Sequence, residues 1–384
     1  MSILGLQDWR RRLPYWTCNG QIFKTKLSAL MHATQIKSDI EFRFNDEFLD
    51  QLDWSKEPPL HIDEYYKLRA QSIRDNYDYV LVMYSGGSDS STIVKTFLRN
   101  NISVDEVAIY GVWNHKIDKY NSSTNLETTY AGWPLLEKVS ACGTKVTHIN
   151  LADAVEISLS DPDWIYQSDP AFTANQACRF HSLFQRPDLI AMREKGKKVA
   201  LVVGHDKARV VTHHKSFYHG FLDLAGLGTW IHPQIFYPDY AGPDLVTFYC
   251  NIDVPEIMIK QSHMIASWYW KTFHTKCESL LNLSYVEPRY SSRSNIIMYP
   301  TTWREHETYT LGKAEHLKIH SWAFRSEWLY EDLSDTKYYN NWLTGVKTAF
   351  GLVDDRFIKP NKKGLKGHWS KLRKIMDFPE IPHL

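Results

Sequence analysis

Between Tyr79 and Leu98 the chain reads YVLVMYSGGSDSSTIVKTFL. An apolar run from Tyr79 to Tyr84 stops at a serine and two glycines, and an amphipathic pattern follows. The run predicts a strand over Tyr79–Tyr84. The pattern predicts a helix over residues 90–99 with Ile93, Val94, Phe97 and Leu98 on its inner face. A strand that turns tightly into a helix places the helix on the face of a sheet, so this stretch restricts the fold more than any other.

The same rhythm continues downstream. Strands are expected at residues 104–110, 145–150 and 199–203. Helices are expected at 124–142, interrupted at Pro134 and stopped by Gly143, and at 175–194, interrupted at Pro187. Strands alternating with helices predict an α/β fold, a parallel sheet with helices on both faces. In such sheets a ligand sits beyond the carboxyl ends of the strands. Two strand ends carry unusual polar sequence there: Ser85-Gly86-Gly87-Ser88-Asp89-Ser90 and Gly204-His205-Asp206-Lys207.

Gly86 and Gly87 admit backbone angles closed to other residues and let a ligand approach the main chain. The first N–H groups of the helix point outward without intrahelical partners, and the helix dipole adds positive charge. Ser85, Ser88, Ser90 and Ser91 add hydroxyls. Such a turn suits an anion. Asp89 does not, because a carboxylate beside a phosphate is repulsive unless a cation lies between them, so Asp89 points to bridging Mg²⁺. The plainer role for Asp89 is a first-turn acid complementing the dipole. The kinase and GTPase phosphate loop, with its lysine, is absent.

Ser85-Gly86-Gly87-Ser88-Asp89-Ser90-Ser91 resembles the SGGxDSS signature of the PP-loop ATP pyrophosphatases, most closely the asparagine synthetase synthase-domain branch. The resemblance covers residues 77–210 and implies a Rossmann-like, adenine nucleotide alpha hydrolase-like domain. It implies ATP and Mg²⁺ as cofactors, a loop that grips the β- and γ-phosphates, and attack of a substrate oxygen on the α-phosphorus. Pyrophosphate leaves, and a nitrogen or sulfur nucleophile then displaces AMP. Asp206 resembles the family's second acidic residue for the Mg²⁺–pyrophosphate. Lys207 beside it would neutralise charge on the departing group, although the family's usual Gly-x-Gly-x-Asp-Glu is not kept here. A surface ion pair of Asp206 and Lys207 is the plainer alternative. The family's adenine contacts map to Met83, Tyr84, Tyr110 and Gly111, with Gly204 at the second strand end. The resemblance implies an ATP-dependent ligase that activates a carboxylate or carbonyl oxygen for a nitrogen nucleophile. Ser2 stands where a glutaminase would carry its cysteine, and the N-terminal block is too short for one. Ammonia, an amine or an ammonia-supplying partner is therefore expected. The short block without a glutaminase also resembles PP-loop proteins of large bacteriophages.

Two other classes stay open. PP-loop enzymes that modify transfer RNA carry a Cys-x-x-Cys before a later Gly-His. Here Cys178-Arg179-Phe180-His181 lacks the second cysteine, and Cys178 reads as a core residue. A non-catalytic adenine-nucleotide binder would not need the intact signature. Products of ATP turnover separate these readings.

The remaining chain divides into an N-terminal block (1–60), the ATP-binding domain (61–250) and a mostly helical C-terminal region with a basic tail (251–384). In the block, Asn19-Gly20 between apolar arms predicts a hairpin over 16–23. A short helix at 26–34 and a strand at 40–44 follow, then a linker at Glu57-Pro58-Pro59 and a helix at 62–76. Beyond residue 210, helices are expected at 255–281, 313–331 and 336–350. His213-His214-Lys215 resembles a metal-ligand pair only superficially, because strand neighbours point to opposite faces. Arg289 and Arg293 read as solvated loop residues or as anion ligands. The tail carries Lys359, Lys362, Lys363, Lys366, Lys371, Arg373 and Lys374, ordinarily a solvated run and otherwise the place for nucleic acid. Formal net charge is +1, so no global field attracts nucleic acid or membrane. Five irregularly spaced cysteines argue against a disulfide framework. With no signal-peptide core at the start, this predicts a cytoplasmic protein that does not engage membrane.

Overall fold

The structure, a computed structural model, describes residues 14–114, 119, 129, 132–161, 163–167, 183–204, 207–223, 240–273, 298, 337–359 and 365–379. The expected helix at 313–331, Cys178, His181, His205, Asp206, Arg289, Arg293, Lys362 and Lys363 lie outside the described residues.

The N-terminal block opens with the hairpin β1 (Tyr15–Cys18) and β2 (Gln21–Phe23), with β3 (Glu41–Arg43) on the other side of β1. Asn19 and Gly20 both take positive φ, 46° and 81°, as a two-residue primed turn requires. Helix α1 (Lys26–Ile36) starts at Thr25, whose side chain accepts the Ser28 N–H. A short helix α2 (Asp46–Leu49) and the long α3 (Ile62–Asn76) follow.

The central sheet holds β4 (Tyr79–Tyr84), β5 (Glu106–Gly111), β6 (Lys145–Asn150), β7 (Val199–Val203) and β10 (Asp244–Thr247). All four pairings are parallel, in the order β10-β7-β4-β5-β6. Helices α4 (Ser88–Arg99) and α5 (Trp133–Ala141) cover one face, where Ile93, Phe97 and Leu136 meet Val80, Val107 and Val202. After α6 (Ala152–Ser160), helix α7 (Pro187–Glu194) covers the other face, where Leu189 joins Leu81, Met83 and Leu201. The chain runs outward from β4 through β5 to β6, then returns to the opposite side of β4 for β7 and β10. The strand order therefore reverses between β4 and β7, which is where a crevice opens at the carboxyl ends.

Pro134 and Pro187 stand in the first turns of α5 and α7, and before Pro187 a helical pair at 183–184 gives way to a break at 185–186, as the sequence predicts. A first-turn proline lacks only an N–H that has no intrahelical acceptor anyway.

Beyond residue 207 the described residues include strands that the sequence pattern does not announce. β8 (Arg209–His213) and β9 (Ser216–Gly220) form a hairpin, and β11 (Arg373–Asp377) pairs with β9 to complete a three-stranded antiparallel sheet. His214 and Lys215 are its turn, with φ of 45° and 57°. His214 is thus not a strand neighbour facing away from His213, and the two rings lie 3.9 Å apart. Helix α8 (Glu256–Phe273) lies within the expected 255–281 span, and α9 (Lys337–Leu352) matches the third expected helix.

Among the described residues of the basic tail, Lys366, Lys371 and Lys374 are exposed, as a solvated run would be, whereas Arg373 is not. Arg373 is buried and reaches Asp46 at 2.7 Å and Asp50 at 3.0 Å, Lys371 reaches Asp50 at 2.7 Å, and Lys374 reaches Asp377 at 2.7 Å. One apolar cluster joins Trp16, Leu30 and Phe42 of the N-terminal block to Phe221, Met258, Trp342 and Leu365. Among the described residues no helix is long and apolar enough to cross a membrane.

Candidate functional site at the carboxyl ends of β4 and β7

The turn after β4 is shaped by its own serines. Gly86 takes φ +85°, open mainly to glycine. Ser90 Oγ accepts the Ser85 N–H at 3.1 Å, and Ser85 Oγ accepts the Gly87 N–H at 3.3 Å. Ser90 Oγ–H also lies 3.2 Å from the Gly87 carbonyl. These short side chains fold the turn back on itself and leave its outer rim to the backbone.

Helix α4 begins at Ser88 after Gly87, with no side-chain cap. Its first intrahelical bond runs from the Ser91 N–H to the Gly87 carbonyl at 2.9 Å. The Asp89 and Ser90 N–H groups precede that bond and have no intrahelical acceptor. Asp89 sits in this first turn as an acid near the positive end of the dipole.

From the second strand end, Lys207 reaches across. Its Nζ lies 3.0 Å from Asp89 Oδ1 and 3.4 Å from Oδ2. Residues 118 apart in sequence meet because β4 and β7 are neighbours in register, Val82 opposite Val202. Both side chains stay partly exposed, 35% for Asp89 and 25% for Lys207. Gly204 makes the approach possible, since a Cβ there would lie 3.2 Å from Ile93 Cδ1 and 3.4 Å from both Asp89 Cβ and Ser90 N.

The other expected residues fall at the same end. Met83 and Tyr84 are buried at the end of β4. Tyr84 pairs with Ile109, so Tyr110 and Gly111 stand one and two residues further on, beside the Ser85–Gly86 turn. The structure thus gathers Ser85–Ser90, Met83, Tyr84, Tyr110, Gly111, Gly204 and Lys207 at one edge.

Several residues at this edge carry no sequence signal. Tyr249 Oη donates to the Asp89 carbonyl at 2.7 Å, and Gln261 Oε1 accepts the Ala208 N–H at 3.1 Å. A Cβ on Gly132 would lie 2.6 Å from Ile109 Cδ1 and within ordinary contact of Gly86 Cα at 3.8 Å, so a side chain there would displace Ile109 beside the turn. The Ala131-Gly132-Trp133-Pro134 run, a helix start on glycine, was the one available hint. Further along the edge, Trp113 and Trp133 flank His148, with ring centroids 4.6 Å and 5.9 Å from it. Burial, with Lys119 nearby, pushes the His148 imidazole down to about 4, so it is neutral near pH 7. Asn150 holds the Trp113 backbone at both its N–H and its carbonyl.

Mg²⁺ takes oxygen ligands and is commonly held by one or two carboxylates together with substrate phosphates and water. Asp89, partly exposed in the first turn of α4, fits one such carboxylate. Among the described residues no group of three or more His, Cys, Asp or Glu could hold a metal, so phosphate oxygens would supply most of the ligand set. No family model matches the chain, and no curated protein is similar enough to match it.

Proposed function

We propose that the chain is an ATP-dependent, adenylate-forming enzyme with a PP-loop domain of the Rossmann-like, adenine nucleotide alpha hydrolase type. One observation carries the reading: a lysine-free Ser-Gly-Gly turn opens a helix whose Asp89 meets Lys207 where the strand order reverses. The strand order and the signature residues agree with it.

In this reading the backbone N–H groups around Ser85–Ser90 hold the β- and γ-phosphates, and the adenine lies against the ends of β4 and β5 near Met83, Tyr84, Tyr110 and Gly111. Asp89, with Asp206 as its proposed second, would hold Mg²⁺, which would supply charge screening for the phosphates. A substrate carboxylate or carbonyl oxygen forms a bond to the α-phosphorus while the bond to the bridging oxygen breaks. The electron pair leaves with pyrophosphate. Lys207 gives up Asp89 for the departing group and offsets its growing charge. A nitrogen nucleophile then displaces AMP from the acceptor.

Of the described tail cations only Arg373 is buried against carboxylates, so the tail does not by itself separate a small acceptor from a nucleic-acid-borne one. The test is product analysis of ATP labelled at the α-phosphorus, incubated with Mg²⁺, the full chain and a small-molecule cell extract. Labelled AMP and an adenylylated compound are expected. ADP with inorganic phosphate would overturn the reading.

A further inference from the structure

The loop that carries Lys207 is held by an element distant in sequence. Gln261 lies on α8 with no exposed surface. Its Oε1 accepts the Ala208 N–H at 3.1 Å, and its Nε2 donates to Tyr66 Oη at 2.9 Å. Tyr66 Oη in turn donates to the Met298 carbonyl at 2.9 Å. The donors and acceptors run in one direction from the loop into the core, and the Gln261 amide is used at both ends. The Tyr66 ring also packs edge-on against Tyr249 at 5.6 Å, and Tyr249 holds the Asp89 carbonyl. The segment from Tyr249 to Gln261 thus holds the backbone of Asp89 and of Ala208, the residue after Lys207.

We propose that Gln261 is the positioning residue for Lys207, setting where the ammonium stands between Asp89 and the departing pyrophosphate; its catalytic part rests on the adenylate-forming reading above. The position needs a group that both accepts and donates, as an amide does at any pH. An ionised carboxylate could accept from Ala208 but could not donate to Tyr66, and an aliphatic side chain could do neither. A buried N–H left without its acceptor drives local rearrangement, and the residue that shifts is next to Lys207. Displacing a catalytic group by about 1 Å can cost about 10²-fold in rate.

The test uses the full chain and two independent readouts. The first needs no ATP: acetic anhydride labelling, read by mass spectrometry, compares Lys207 with Lys195, which is exposed. Gln261→Leu is expected to raise Lys207 labelling severalfold relative to Lys195, and unchanged labelling overturns the proposal. The second is a double-mutant cycle on AMP formation. Gln261→Leu is expected to lower kcat about 10²-fold with little change in the KM for ATP. In a Lys207→Ala background the same substitution is expected to cost less than about twofold. Full additivity would mean a general structural role and would overturn the proposal. Should Gln261→Leu fail to fold, Gln261→Glu answers instead. Its buried carboxyl, neutral at low pH, both donates and accepts, so kcat gains a limb that falls as the carboxyl ionises; a pH profile like that of the unsubstituted chain counts against the proposal. Raised labelling of Lys207, with no AMP from the unsubstituted chain, would sink the adenylate reading and leave the placement of Lys207 standing.

Discussion

Asp89 and Lys207 form an ion pair that contributes little to stability, as the proposed release of Lys207 from Asp89 would require. With 35% and 25% of their side-chain surface exposed, such a pair is worth about 0.2–1 kcal/mol. Asp89→Asn is therefore expected to leave the melting temperature within a few degrees and to reduce AMP formation by at least about 10²-fold. Retained turnover would remove Asp89 from the site, and collapse of the fold would make it structural. His219 answers to a different demand. It is fully buried, with Nδ1 3.0 Å from Ser262 Oγ and its ring stacked on Trp54 at 4.4 Å. Burial, with Arg373 nearby, pushes its imidazole down to about 3. An unfolded histidine takes a proton near pH 6.5, so between pH 6.5 and about 3 the unfolded state binds more protons. The stability His219 contributes is complete above pH 6.5 and is lost on acidification, by about 1.4 kcal/mol per pH unit while the difference persists. Urea unfolding at pH 7 and pH 5 should show this loss, and His219→Gln should reduce it. A slope the substitution leaves unchanged would assign the acid sensitivity elsewhere.

At the scale of elements, what was legible followed burial. α3, β4 and β7 have the bounds their sequences announce, because buried apolar runs and periodic faces are local properties; β6 keeps its expected bounds although none of its residues is buried. The Ser-Gly-Gly turn was legible for a related reason: its shape comes from Ser85, Gly86, Gly87 and Ser90 themselves. β10 was not legible, since Asp244–Thr247 is a short edge strand whose place depends on β7. β11 was hidden by its charge, because Arg373 and Lys374 read as tail until Asp46 and Asp377 are brought beside them. The partners that finish the site, Tyr249 and Gln261, were invisible because tertiary contact alone gives them a role. Helix α9 shows the same limit. Gly345 breaks its helical propensity, yet a Cβ there would lie 2.7 Å from Trp164 Nε1 and 2.9 Å from Cε2. Gly345→Ala gains helix propensity by up to about 1 kcal/mol. It is nevertheless expected to destabilise the protein by about 1–3 kcal/mol through overpacking on a buried indole. Chemical denaturation decides the sign, and a stabilised variant would show that Trp164 yields.

For the molecule as a whole, the N-terminal block and the C-terminal tail close on one buried ion pair. Lys26 Nζ lies 2.8 Å from Asp223, and both side chains are essentially unexposed. Trp16 Nε1 donates to Asp223 Oδ2 at 2.8 Å, the His368 N–H donates to Oδ1 at 2.8 Å, and Lys26 also donates to the Lys366 carbonyl. Burial opposes ionisation of Asp223, but Lys26 and His368 together hold its carboxyl below the usual range. Burial likewise draws the Lys26 ammonium down from its usual value against the pull of Asp223. Removing one partner strands the other. Asp223→Asn keeps an oxygen for Trp16 but leaves a buried ammonium without its counter-charge, a loss of about 3–5 kcal/mol. The pH dependence identifies the stranded group. With Asp223 gone, only burial and Lys359 bear on Lys26, and the folded state prefers the neutral amine. The unfolded chain then binds more protons over the interval below about pH 10.4, so the variant gains stability as pH rises. The deficit of Asp223→Asn relative to the unsubstituted chain is expected to shrink between pH 7 and pH 9. Lys26→Met together with Asp223→Leu should cost less than the two single losses added. A deficit that stays constant with pH would mean that the contact area of the junction, and not the charge of Lys26, ties the two ends of the chain to the sheet.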